Sequence, residues 1–281
     1  MKRFENLINY IGALALTVLT GSCGLSSSSE DDTYRHLFVE EEMRLVDDDA
    51  SPYCDFSIDF TYLNGTDTVA NLINRTIQSE FLGGEYALLV PEVAVDSFRN
   101  TYRSDYRKEI KELYLKERAE ASAIEEIPAW FGQTYSLVTF VEEGRGGVVN
   151  ASANYFLDQG GAHPHQWSRW LNFDFVTGKV LEKQDVFHEG TQNDIESLLL
   201  RKLILLQAEE NPDNEVKTLE DLQNMGFLQH TPMFIPDNFL LSQRAMLFLF
   251  NRYDIAPYSA GEIVLEVPYE EIEHITQIFS P

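Results

Sequence analysis

Apolar positions recur along this chain with a period of two in some segments and of three to four in others, and the changes of period predict its elements. Phe56, Ile58, Phe60 and Tyr62 alternate with Ser57, Asp59 and Thr61, as in a strand with one buried face. Asn64-Gly65 reads as a turn, and Thr66 or Asp67 can cap a helix that places Val69, Leu72, Ile73 and Ile77 on one face. Gly83-Gly84 ends it. A longer helix is predicted from about Pro91 to Ala121, with proline in the first turn and a packing stripe of Phe98, Tyr102, Tyr106 and Ile110.

Strands return at Tyr135–Glu142 and Gly147–Phe156, joined through Glu143-Gly144-Arg145-Gly146 as a hairpin. In the second of them Val149, Ala151, Ala153 and Tyr155 alternate with Asn150, Ser152 and Asn154. A further strand, Trp167–Phe175, puts Leu171, Phe173 and Phe175 on one face, and Thr177-Gly178 turns it back. A helix over about Gln192–Ala208 points Ile195, Leu198, Leu199 and Leu203 inward. Residues 211–236 show no period and read as irregular. Phe239–Leu241, Ala245–Phe250 and Glu262–Val267 close the chain as strands, the middle one apolar on both faces and therefore central in its sheet. Hairpins dominate, which predicts the α+β class: antiparallel sheet with packed helices in two closely associated subdomains. The composition shifts near Gly160, dividing an N-terminal domain (34–157) from a C-terminal one (158–281).

The first 33 residues follow different rules. Lys2 and Arg3 precede an apolar run from Leu7 to Val18, too short for a membrane span and right for a signal peptide over residues 1–22. The small residues before Cys23 resemble a bacterial lipobox, which makes Cys23 the expected lipidation site. The competing reading is a soluble signal peptide cleaved near Ser22. Residues 23–33 form a Ser-rich, acidic tether in which Glu30-Asp31-Asp32 reads either as a surface-export signal or as solvated linker charge. The expected address is the outer membrane, through a lipid anchor.

Composition narrows the partners. In 281 residues, 44% are hydrophobic, enough for a substantial core, and the formal net charge is −25. Phosphate backbones repel such a chain, so nucleic acid is excluded, whereas a cationic protein is favoured. The only other cysteine, Cys54, opens a strand and reads as a small buried hydrophobe.

Candidate chemistry centres on Asp158-Gln159-Gly160-Gly161-Ala162-His163-Pro164-His165, beside Trp167 and Trp170. Two glycines permit positive φ, and Pro164 stiffens the loop. His163 and His165, two residues apart, offer half a metal site, with no third ligand at a recognisable spacing. The structural reading, imidazoles bonded to backbone, outweighs it. Asp47-Asp48-Asp49 lacks the spacing of a calcium loop and reads as a solvated turn. Asp67-Thr68-Val69 resembles an O-glycosylation acceptor. Nucleophile elbow, metalloprotease, phosphate-loop and dinucleotide motifs are all missing, so no catalytic residue, metal or cofactor is predicted.

Four segments, Gly160-Gly161-Ala162-His163-Pro164, Asn172–Lys179, Asp185-Val186-Phe187 and Tyr253-Asp254-Ile255-Ala256-Pro257-Tyr258-Ser259-Ala260-Gly261-Glu262, together resemble the RsiV-like domain of unknown function. Residues from about Tyr34 to Phe156 resemble the PdaC/RsiV-type domain that precedes it. The resemblance implies an extracytoplasmic α+β module without intrinsic catalysis, recognising a cationic protein such as lysozyme or a peptidoglycan-related ligand. Only six residues precede the apolar run and Pro281 ends the sequence, so neither an anti-sigma segment nor a deacetylase domain is expected. The alternative is a glycan-modifying enzyme acting through the Gly160–His165 loop. The signature loops Gly160–Pro164 and Ile255–Gly261, which carry His163, Tyr258 and Pro257, are expected to brace each other, with His163 buried and hydrogen-bonded.

Overall fold

β1 (Tyr34–Arg44) runs antiparallel to β2 (Tyr53–Leu63), and β2 pairs in parallel with β3 (Gln133–Glu143). β4 (Val148–Asp158) and β5 (His165–Asp174) complete a five-stranded sheet in the order β1-β2-β3-β4-β5. The computed structural model describes residues 33–121 and 128–277 of the chain. The expected lipidation site at Cys23, the signal peptide and the acidic tether lie outside the described residues.

The parallel β2–β3 pair requires a crossover, and two helices supply it. α1 (Thr68–Phe81) starts at Asp67, whose carboxylate accepts hydrogen bonds from the amides of Val69 and Ala70. It buries Ile73, Ile77 and Phe81, as the spacing predicts, but its stripe is rotated: Leu72 is exposed, while Asn74 and Gln78 are buried. Both amides earn their burial by bonding main chain, Asn74 to both backbone groups of Leu63 and Gln78 to the carbonyls of Tyr86 and Leu89. α2 (Pro91–Glu120) lays Phe98, Tyr102, Tyr106, Ile110 and Tyr114 against the sheet, and Tyr102 and Tyr135 meet with centroids 4.7 Å apart.

After β5 come α3 (Lys183–Val186), α4 (Gln192–Glu210) and α5 (Leu219–Asn224), then β6 (Phe239–Leu241), β7 (Ala245–Phe250), β8 (Ile263–Pro268) and α6 (Tyr269–Ile272). The last three strands form a second, antiparallel sheet with β7 in the centre. Met246, Phe248 and Phe250 face a core shared with Ile195, Leu199 and Leu203 of α4, while Leu249 and Leu240 pack on Trp170 of β5. The layers therefore run helices, five-stranded sheet, three-stranded sheet, helix. The class is α+β, as the pattern predicts.

Three expectations are corrected. Residues 211–236 are not wholly irregular, because Thr218 and Asp221 form a capping box that starts α5. Phe175 lies beyond β5 and is exposed, instead of sharing the face of Leu171 and Phe173. The sheet is also not purely antiparallel, given the β2–β3 pair.

Polar positions join the sheets. Asn150 and Asn172, cross-strand partners on β4 and β5, are both buried. Asn172 Nδ2 donates to the Phe239 carbonyl and its Oδ1 accepts from the Leu241 amide, each at 2.8 Å. Asn238 and Asn251 do the reverse for the edge of β5: the Trp170 amide donates to Asn238 Oδ1 (3.0 Å) and the Ser168 amide to Asn251 Oδ1 (2.7 Å). Asparagine amides thus supply the bonds that a neighbouring strand would.

Candidate functional site

The two signature loops meet at one end of this stack. Gly160 has φ +71°, and a Cβ there would come within 2.5 Å of the Trp130 Cα, so only glycine fits. Gly161 does not use positive φ, and its surroundings are open. The loop delivers His163 flat onto Tyr258, with centroids 4.6 Å apart, while the Tyr258 hydroxyl donates to the Pro164 carbonyl at 3.0 Å. The Arg252 guanidinium lies over the Tyr258 ring at 4.7 Å, donates to the Tyr258 carbonyl, and also bonds Gln166. Tyr253, held at φ +71° and exposed, adds its ring at 5.8 Å from Tyr258. Pro257 packs toward Gly226.

The loops do contact each other, but His163 is exposed and held by stacking, not buried and hydrogen-bonded as expected. His165 is exposed at the start of β5. Trp170 does not join them either: it points to the opposite side of β5 from Trp167 and is buried between the sheets. Among the described residues no three His, Cys, Asp or Glu side chains gather in a group that could hold a metal ion. Elsewhere, Asp48 accepts the Ala50 amide in a surface turn, Thr68 is exposed beside the Asp67 cap, and Cys54 is buried as a free thiol.

Next to the loops, across the open edge of β5, lies a cleft of about 470 Å³, a size within the usual range of small-ligand pockets. Trp167 and Tyr155 stack in its wall, 4.6 Å apart and 3° from parallel. Glu80 of α1 pairs with Arg169 of β5 at 3.2 Å. On the other side stand Phe234, Pro236, Asp237 and Asn238, then Asn251 and Asp254 from the turn that leads to Tyr258. Asp237 pairs with Lys183 at 2.6 Å, and Asp254 accepts from the Asn251 amide at 2.7 Å. Burial raises the Asp254 carboxyl above its ordinary pKa, partly offset by that bond.

Ser168, in the same cleft, places its hydroxyl 2.8 Å from Asn154 Oδ1 and 2.9 Å from Glu262 Oε1. Burial pushes the Glu262 pKa up, partly offset by the Ser168 hydrogen bond and by Arg252. Sequence reasoning identified Trp167 but missed Tyr155, Arg169, Glu80 and Asp254, which converge from β4, β5, α1 and the closing turn. A second groove of about 650 Å³ between α4, α5 and residues 228–233 is lined mainly by apolar and amide side chains, with Glu196 and His230 its only ionisable groups.

The class these observations define is an α+β protein of two stacked sheets between helices, with an aromatic and polar cleft where the sheets meet. Residues 184–270 match the family model described as "Protein of unknown function (DUF3298)". A solved structure of a DUF3298 family member from Bacteroides fragilis superposes with a TM-score of 0.77 at 26% identity, over 87% of this chain and 93% of that one. A DUF3298 family protein from Pseudomonas aeruginosa shares the fold, with a TM-score of 0.57 at 18% identity, over 88% of this chain and 96% of that one. No curated protein matches this chain.

Proposed function

We propose that this protein is a non-catalytic binding module of the cell envelope, anchored to the outer membrane through a lipid on Cys23, with its ligand site where the signature loops meet the cleft. The observation that carries the reading is convergence: two strands, one helix and two separate loops bring exposed rings and paired charges to one end of the fold. Fixed polar groups around an aromatic wall suit recognition.

The net charge of −25 favours a second reading of the partner, a cationic protein. The RsiV-like resemblance makes lysozyme the first candidate, and complementary charge would make binding salt-sensitive. The test uses the full chain carrying Cys23→Ser, titrated with cell-wall glycan and with lysozyme at several salt concentrations. Saturable binding to either supports the module. Turnover of the glycan, lost in His163→Ala, would replace it with the enzymatic alternative. Equal weak binding to every basic protein would reduce the lysozyme reading to ion exchange.

A further inference from the structure

We propose that the cleft between β5 and the Asn251–Asp254 turn is a subsite for one uncharged sugar ring, seated against Trp167 and held by the Glu80–Arg169 pair. This deepens the binding-module reading and rests on it.

The aromatic wall comes first. Trp167 is 38% exposed although it lies on a strand of the main sheet, and one face of its indole is covered by Tyr155 in near-parallel contact. Tyr155 is itself fixed, because its hydroxyl donates to the Phe81 carbonyl at 3.1 Å. The indole is therefore a rigid plate, and it lines the cleft. A plate of this kind takes the C–H face of a pyranose, which is apolar and flat, with little loss of side-chain freedom.

The polar groups select against other occupants. Asn238 and Asn251 spend their amides on the β5 main chain and are not free to bind. Ser168 likewise spends its hydroxyl on Asn154 and Glu262, which leaves Glu80, Arg169, Asp237 and Asp254. Glu80 is balanced by Arg169 and Asp237 by Lys183, while Asp254 carries no ion pair among the described residues, so the cleft is mildly acidic and disfavours an anion. Ion pairs of this sort set charge-assisted donors and acceptors side by side, the arrangement that neighbouring hydroxyls on a sugar can use. Asp254 adds an acceptor from the opposite wall. Phe234, Pro236 and Leu249 supply the apolar remainder.

The test is titration of the Cys23→Ser chain with chitotriose and, separately, with maltotriose, read by tryptophan fluorescence and by calorimetry. Binding of either supports the subsite. Preference for chitotriose points to N-acetylated wall glycan as the source, and preference for maltotriose to a plain hexose polymer. Trp167→Ala and Arg169→Ala should each weaken binding about tenfold or more, as for anchors at the centre of an interface. Trp167→Phe should keep part of it, and Trp130→Phe, outside the cleft, should leave it unchanged. Circular dichroism confirms that each variant folds, and Glu80→Gln replaces any that does not. Failure of both sugars to bind overturns the subsite. So does binding that survives Trp167→Ala and Arg169→Ala. In either case the module reading stands or falls separately, on wall glycan and lysozyme.

Discussion

His163 and Tyr258 lie ring on ring, 4.6 Å apart and 16° from parallel, although 94 residues separate the loop carbonyl that Tyr258 bonds from Tyr258 itself. The two partners are not equal. Tyr258 also bonds that carbonyl, at Pro164, and supports Arg252, whereas His163 is exposed. Tyr258→Ala should therefore cost about 1–3 kcal/mol of stability, and His163→Ala less than about 1 kcal/mol. Urea unfolding of both variants checks this. Equal losses would mean that the stack itself, and not the tyrosine's other contacts, braces the loops.

The asparagine seam makes a sharper claim. Asn172→Leu leaves a buried carbonyl at Phe239 and a buried amide at Leu241 without their partner, and should destabilise the protein by about 2–4 kcal/mol. Hydrogen exchange at the Leu241 amide should accelerate beyond what the global loss explains. An unchanged exchange rate there would show that the sheets are held by Trp170, Leu240 and Leu249 alone.

The two adjacent glycines should behave differently. Gly160→Ala combines a left-handed backbone, which costs a side chain about 1–2 kcal/mol, with a clash against the main chain of Trp130. Gly161→Ala meets nothing closer than the His163 carbonyl at 3.9 Å. Thermal melts should show a clear drop for the first and almost none for the second.

Alkali should unfold the N-terminal core. Burial pushes the Cys54 thiol from 9.0 up to about 11, and pushes the Tyr62 phenol, which also faces Glu92, from 10.0 up to about 12. Burial raises Tyr102, Tyr106 and Tyr135 as well. These groups are neutral when protonated and are held neutral by the fold. Their stabilising contribution is complete below about pH 9 and is lost as the pH climbs through 11 to 12. Melting temperature against pH, with tyrosinate absorbance followed in parallel, should show ionisation coinciding with unfolding. Smooth titration of these groups in a protein that stays folded would contradict the burial argument.

Local pattern made most elements legible. The i, i+4 stripe of Phe98, Tyr102, Tyr106 and Ile110 marked α2, and the doubly apolar run from Met246 to Phe250 marked the central strand of the second sheet. β1 escaped notice because Glu40, Glu41 and Glu42 interrupt its alternation on an edge strand that tolerates charge. α5 escaped although its Thr218…Asp221 cap was in plain view, since six residues carry little periodicity.

What the sequence determined by itself was most of the elements and the α+β class, because period and capping act over a few residues. Only the tertiary structure decided which polar residues lie inside. Asn150, Asn172 and Ser168 look solvent-facing in an alternating strand, yet a second sheet covers them: the two amides bond Leu241 and Phe239 across the seam, and the Ser168 hydroxyl bonds Glu262. It likewise separated Trp167 from Trp170, three residues apart on one strand, and sent one to a cleft and the other to the core. Strand geometry places successive side chains on opposite faces, but which face meets water depends on what packs there, and that packing comes from residues some 70 to 90 positions away.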